Sequence, residues 1–275
     1  MAIHVGFIGL GNIGRPMARH LCGPEFDLVV HDVNPEASRE FPSLGGKVAI
    51  SVAALAAHAG LIGICVRDDA DLMALAEGPD GLIARGQPGT VIAIHSTIHR
   101  HTLLEVARQA ATRDITVIDA PITGGAQGAA QRNLCTMVGG EAAALERVHP
   151  MLAAYSGKII HAGPLGTGMT LKLCNNLITY LQLIAAHEGF RLAASAGLAP
   201  ELLREVTQAN GNLTPTMAAF LGNRGAAPPG AFDAFATLAE KDLDCALQLA
   251  ADVGVDLRAG LLARAEIGNT YRNLP

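Results

Sequence analysis

Tryptophan is absent, aromatic residues make up 4% of the 275-residue chain, and only 16% of its residues are charged. So few stacking rings, with a formal net charge of −5, give no footing for nucleic acid and no polybasic segment for an anionic membrane surface. No C-x-x-C pair occurs: Cys22, Cys65, Cys135, Cys174 and Cys245 are scattered and odd in number. That pattern argues against a disulfide framework or a structural zinc site, and for free thiols in a reducing compartment. No apolar run of about 18 residues escapes polar interruption, so no membrane span is expected. The apolar opening at 3–10 lacks a basic leader and runs straight into glycines, so it reads as a strand and not as a signal peptide. A cytoplasmic protein is the expectation.

Half of the residues are apolar, enough for a sizeable core. Up to about residue 162, short apolar runs at 3–8, 27–31, 61–66, 90–94, 115–119, 134–138 and 158–160 alternate with helical patterns at 13–21, 52–59, 102–111 and 141–154. Such alternation specifies a parallel sheet covered by helices on both faces. After Gly163-Pro164 the pattern changes to one long helical stretch, 167–196, of roughly 45 Å at the usual rise per residue. Shorter helical segments follow at 200–209, 215–221 and 234–253, with loops marked by Pro228-Pro229-Gly230 and Gly254. The expected fold is α/β: a Rossmann-type doubly wound domain over 1–163, followed by an all-helical domain over 164–275.

Gly9-Leu10-Gly11-Asn12-Ile13-Gly14 follows the first strand and opens a helix, and an acidic residue, Asp32, stands 18 positions past the last glycine. A G-x-G-x-x-G alone is a weak signal; strand, helix and acid together point to a dinucleotide site. Gly9 permits the tight turn, Gly11 lets the backbone approach a pyrophosphate, and Gly14 lets helix and strand pack closely. The helix N-terminus offers N–H groups and partial positive charge to phosphates. At the end of the second strand, Asp32 would bond a ribose 2′-hydroxyl and repel a 2′-phosphate, favouring NAD over NADP. Two alternatives stay open: Asp32 caps the next helix unless Asn34 does, and Arg39 accommodates the 2′-phosphate of NADP.

Gly168, Lys172 and Asn176 are spaced by four and share a face of the long helix. A lysine there either snorkels to solvent or sits in a polar pocket. Asn175 and Asn176 favour the pocket, because amides are poor in helix interiors and need partners. Oxidising an alcohol requires a base within hydrogen-bond reach of its proton. Free lysine has a pKa near 10.4, roughly 4 kcal/mol from neutrality, and burial beneath an apolar ring would lower it.

These residues resemble the β-hydroxyacid dehydrogenase family, typified by 3-hydroxyisobutyrate dehydrogenase. The likeness is carried by 6–18 (cofactor fingerprint), His95-Ser96-Thr97, Asp119-Ala120-Pro121-Ile122-Thr123-Gly124-Gly125 (substrate loop, usually serine where Thr123 stands), 166–176 (catalytic helix) and Lys241-Asp242-Leu243. The resemblance implies a Rossmann-type domain joined by a long helix to a helical domain, with the active site in the cleft between. It implies NAD, with NADP as the alternative, held by Gly9, Gly11, Asn12, Ile13, Gly14, Asp32, Val66, Thr97 and Lys241. It further implies a small β-hydroxy acid substrate held by Ser96, Thr123, Gly124, Gly125 and Lys241, with the carboxylate in a nest of backbone N–H groups. Lys172 would be the general acid/base, Asn176 its orienting partner, and the enzyme a homo-oligomer.

Two departures qualify the likeness. Arg132 and Asn133 replace a small pair after the substrate loop; Arg132 either meets an additional anionic group or is a solvated surface residue. The chain also ends at Pro275, short of the family's usual closing segment, which leaves substrate choice open. Neither His95, His99 and His101 nor His187-Glu188 completes a metal-ligand spacing, so no metal is expected. Asp68, Asp69 and Asp71 read as the cap and first turn of a helix. The competing readings are an imine reductase, which generally lacks the lysine, and a non-catalytic dinucleotide-binding protein, which typically loses it.

Overall fold

Nine strands form one sheet in the computed structural model, which describes residues 2–212, 214 and 230–273. They are β1 (Ile3–Ile8), β2 (Phe26–His31), β3 (Lys47–Val48), β4 (Leu61–Ile64), β5 (Val91–Ile94), β6 (Thr116–Asp119), β7 (Ile122–Thr123), β8 (Leu134–Gly139) and β9 (Ser156–Gly163). Their order is β3-β2-β1-β4-β5-β6-β8-β7, with β9 on β8. From β3 to β6 the neighbours run parallel, and the reversal between β1 and β4 marks the switch point at which doubly wound sheets bind dinucleotides. The expected doubly wound parallel sheet is present, with one mixed edge where β8 runs antiparallel to β6 and β7 and parallel to β9.

Every residue of β4 and β5 is buried, so both strands read as unbroken apolar runs, as strands covered on both faces must. Alternate residues of β1 show the two faces. A Cβ on Gly6 would strike Leu55 and Ala59, at α3 (Val52–His58), while Phe7 points the other way, onto Tyr155 and His95. Phe7, Tyr155 and Phe41 are among the largest wholly buried side chains.

The other helices of this half are α1 (Gly14–Arg19), α2 (Pro35–Ser38), α4 (Asp69–Ala76), α5 (Leu82–Arg85), α6 (Arg100–Ala111), α7 (Gly125–Ala130) and α8 (Ala142–Ala153). Their starts follow capping chemistry. Asn34, Ser51 and Asp68 accept the amides of Glu36, Ala54 and Asp71, which answers two expectations. Asn34, not Asp32, caps α2, and Asp68 caps α4.

Then come α9 (Thr167–Ser195), α10 (Pro200–Ala209), α11 (Ala231–Asp252) and α12 (Arg258–Arg272). No strand lies among the described residues of this half; the expected helix at 215–221 and the prolines Pro228 and Pro229 lie outside them. The last helix, α12, carries two glycines and is absent from the apolar pattern. At Gly268 a Cβ would come within 2.0 Å of Glu240 Oε1, so a larger residue there would push that carboxylate of α11 aside. Tyr180, Leu183, Ala236, Leu243, Ile267 and Tyr271 build the core of this half.

The chain divides into two compact units, Met1–Lys172 and Leu173–Pro275. Among the described residues no helix is long and apolar enough to cross a membrane.

Candidate functional site

The ends of β1, β2 and β4 converge on the glycine turn: Gly9 N–H donates to His31 O at 3.1 Å, and Cys65 N–H to Ile8 O at 2.8 Å. Gly9 has φ +91°, and a Cβ there would lie 2.1 Å from Cys65 O; one on Gly14 would lie 2.0 Å from Gly9 O. Gly11 differs, since a Cβ would meet nothing within 4 Å. Two glycines are therefore demanded by the protein's own packing, and the third leaves an open approach to the backbone. No side chain caps α1 at Ile13 and its first turn carries no acid, so its amides suit a phosphate. Beside the turn lies a groove of about 530 Å³ lined by Gly11, Asn12, Arg15, Asn34 and Glu36 among others. The residues present fit a dinucleotide.

Asp32 ties the turn to β2. Its Oδ2 accepts from Leu10 N–H at 2.6 Å and its Oδ1 from Asn34 N–H at 2.7 Å. Val33 beside it is 91% exposed, an apolar side chain with nothing of the protein over it. The two arginines that line the groove, Arg15 and Arg19, are paired with Glu40, and Arg39 is paired with Glu36. Both guanidiniums hold the Glu40 carboxyl down at about 2.

Ser96 latches the neighbouring strand ends. Its hydroxyl accepts from Val66 N–H at 2.8 Å and donates to Val66 O at 2.9 Å. This bond takes Val66 out of the ladder, which is why β4 stops at Ile64 and not at 66. Ser96 is buried, and Thr97 next to it is half-buried. His95, wholly inside, makes Nδ1 contact to Ala120 O at 2.8 Å and Nε2 contact to Tyr155 OH at 3.0 Å. The carbonyl can only accept, so Nδ1 carries the proton and Nε2 receives the tyrosine hydroxyl. Burial pushes the His95 pKa down to about 4.

Thr123 is set by pairing of β7 with Cys135 on β8. Gly124 and Gly125 follow with φ +125° and +63°, conformations L side chains avoid, and both are exposed. Arg132 does not turn toward this loop's threonine: its Nε donates to His20 Nδ1 at 3.0 Å, and its guanidinium is exposed. The surface alternative fits Arg132, and the additional-anion reading gains nothing.

The lysine helix is pinned at its start by a residue to which the sequence assigned no role. Asp119, at the end of β6, is wholly buried; its Oδ1 accepts from Gly166 N–H at 2.7 Å and its Oδ2 from Met169 N–H at 2.6 Å. Burial pushes its pKa up, and the amides of Gly166, Met169 and Gly168 oppose that. Lys172, three residues on, is half-buried and interacts with its surroundings.

Farther along α9, a second buried carboxylate gathers three partners. Asp242 on α11 accepts Asn176 Nδ2 at 2.7 Å, Tyr180 OH at 3.0 Å and Lys241 Nζ at 2.8 Å. Burial and Asp242 together push the Tyr180 pKa up. With Nδ2 committed, the Asn176 amide oxygen is the acceptor end, and Asn175 Nδ2 donates to it at 3.4 Å. Asp119 and Asp242 both stood inside motifs read from sequence, but without spacing to reveal their partners.

Comparison with known proteins bears on this arrangement. Residues 4–163 match the NAD binding domain of 6-phosphogluconate dehydrogenase, and residues 166–272 the NAD-binding segment of NADP-dependent 3-hydroxyisobutyrate dehydrogenase. An uncharacterised oxidoreductase of Mycobacterium tuberculosis is 36% identical over 94% of this chain and 90% of the relative. The mitochondrial 3-hydroxyisobutyrate dehydrogenase of Mus musculus is 32% identical over 74% of this chain and 60% of that protein. Among solved structures, Mycobacterium tuberculosis 3-hydroxyisobutyrate dehydrogenase with L-serine aligns at TM-score 0.84 and 29% identity, covering 100% of this chain and 95% of that one.

Proposed function

The chain belongs to the 3-hydroxyisobutyrate dehydrogenase family of NAD(P)-binding oxidoreductases, and from that premise we propose that it interconverts a small β-hydroxy acid and its semialdehyde with NAD, Lys172 carrying the proton. The observation that carries the reading is the set of Asn176: its amide nitrogen is given to Asp242, which fixes its oxygen as the acceptor end of the amide, one helical turn from Lys172.

When bound, the nicotinamide supplies the hydride acceptor. The chain's part is to hold the reactants and move the hydroxyl proton. The Lys172 amine takes that proton from the alcohol, and in the reverse direction its ammonium returns it to the alkoxide. Asn176 Oδ1 orients the amine. Thr123 and the turned amides of Gly124 and Gly125 receive the substrate carboxylate, with Lys241 as a further cation for substrate or cofactor. Asn12, Ile13 and the glycine turn hold the pyrophosphate; Val66, Ser96 and Thr97 wall the nicotinamide end. Asp32 and the exposed Val33 take the adenosine end. Preference for NAD over NADP follows from Asp32, Glu36 and Glu40 standing there with each arginine already paired.

The test is a panel of 3-hydroxyisobutyrate, serine, glycerate, threonate and 3-hydroxypropionate with NAD and NADP, followed by cofactor absorbance. Serine is included because it accompanies the solved relative. At least one acid should turn over, faster with NAD, and Lys172→Ala should lose at least about a hundredfold in kcat. Comparable kcat in the variant would end the assignment of Lys172. Cofactor binding without turnover of any acid would make the chain a binding protein.

A further inference from the structure

Three side chains remote in sequence meet at the other end of β1, away from the glycine turn. His4 and Asp27 are register partners on the parallel pair β1 and β2, so both side chains leave the sheet on the same face. Gly6, two residues along, faces α3, so this is the face α3 covers. The last residue of α3 is His58. Strand parity, register and helix length together bring two imidazoles and a carboxylate to one spot.

Their ligand atoms form a near-equilateral triangle. His4 Nδ1 lies 3.2 Å from Asp27 Oδ2, His58 Nε2 lies 3.2 Å from the same oxygen, and the two nitrogens are 3.4 Å apart. Ligands at about 2.0–2.1 Å from a tetrahedral ion stand roughly 3.3 Å from one another, whereas octahedral neighbours at that distance stand about 2.9 Å apart. The triangle has the dimensions of one face of a zinc tetrahedron. Three acceptor atoms so close need a proton or a cation among them. Lys47 Nζ, 2.7 Å from the other oxygen of Asp27, holds the carboxyl below its usual range and orients it for monodentate ligation. Among the described residues no other group of histidine, cysteine and carboxylate ligand atoms is drawn together like this.

We propose that His4, Asp27 and His58 bind a divalent transition metal of zinc type, with water in the fourth position. The site joins β1, β2 and α3 about 16 Å along the strand from Gly9, so it is separate from the hydride chemistry. The open side is real, since the His4 side chain is 59% exposed.

The experiment takes the full chain, treated with chelator and dialysed, through calorimetric titration with Zn²⁺ and absorption titration with Co²⁺. The expected result is one equivalent of Zn²⁺, a raised melting temperature, and the intense visible band of tetrahedral Co²⁺. Affinity should fall at least about tenfold in His58→Ala, His4→Ala and Asp27→Asn, while His101→Ala stays as wild type. All three ligands are at the surface, so the variants should keep the wild-type circular dichroism; if His58→Ala unfolds, the more exposed His4→Ala decides. No saturable uptake, uptake undiminished in His4→Ala/His58→Ala, or a weak octahedral Co²⁺ spectrum would each overturn the proposal.

Discussion

Replacing Asp119 by asparagine tests how the lysine helix is held. The carboxylate lies close against two glycines, where a Cβ on Gly139 or Gly168 would come within 2.4 or 2.9 Å of its oxygens. Asparagine fits the volume, but its NH2 must face either Gly166 N–H or Met169 N–H, donor against donor. One buried backbone N–H loses its acceptor, about 1–3 kcal/mol. The start of α9 also loses a negative charge, worth up to about 2 kcal/mol in partly buried geometry. Against this, the variant escapes the cost of burying a charge, the same effect that raises the Asp119 pKa. A net loss of about 2–3 kcal/mol remains, and at roughly 2–4 °C per kcal/mol the melting midpoint should fall by about 5–10 °C. The assay is thermal melting by circular dichroism at neutral pH, with kcat measured on the folded variant. Lys172 lies one turn beyond Met169, so kcat should fall with KM for cofactor little changed. A midpoint within a degree or two of wild type, with kcat intact, would refute the idea that this carboxylate anchors the helix.

Other predictions follow from the same geometry. Gly11→Ala should fold with near wild-type stability yet bind NAD about 10–100-fold more weakly, the loss of one charged hydrogen bond or so; Gly14→Ala should instead lose stability, since its Cβ must enter Gly9 O, and equal effects in the two would sink the distinction. The buried neutral His95 has a folded pKa near 4 against an ordinary 6.5, so its contribution is complete above about pH 6.5 and is lost as pH falls toward 4. The unfolding free energy from urea titration should therefore drop by roughly 3 kcal/mol over that window in wild type and less in His95→Gln; parallel curves would exclude His95 as the cause. Asp242→Asn should lower kcat about tenfold and displace the pH profile of kcat, because the Asn176 amide is then free to flip; an unchanged profile would reduce Asp242 to a packing residue.

The strands legible in the sequence are those with a continuous apolar run, β4 and β5 above all, because burial on both faces leaves no polar interruption. Two-residue strands such as β3 and β7 leave no such trace, and α12 hides behind its glycines. The glycine turn was readable because strand, turn and helix are contiguous. Asp119 and Asp242 were not, since each draws its meaning from partners 47 to 66 residues away. The same holds for His4, Asp27 and His58, which only strand register unites.

The sheet terminates at β3 after two exposed residues, Lys47 and Val48. So brief an edge presents too few unsatisfied amides and carbonyls to template a strand from another molecule, and a lysine seated there repels its own copy. Concentrated stocks should consequently fail by melting and amorphous clumping, with no fibrils nucleated along this margin.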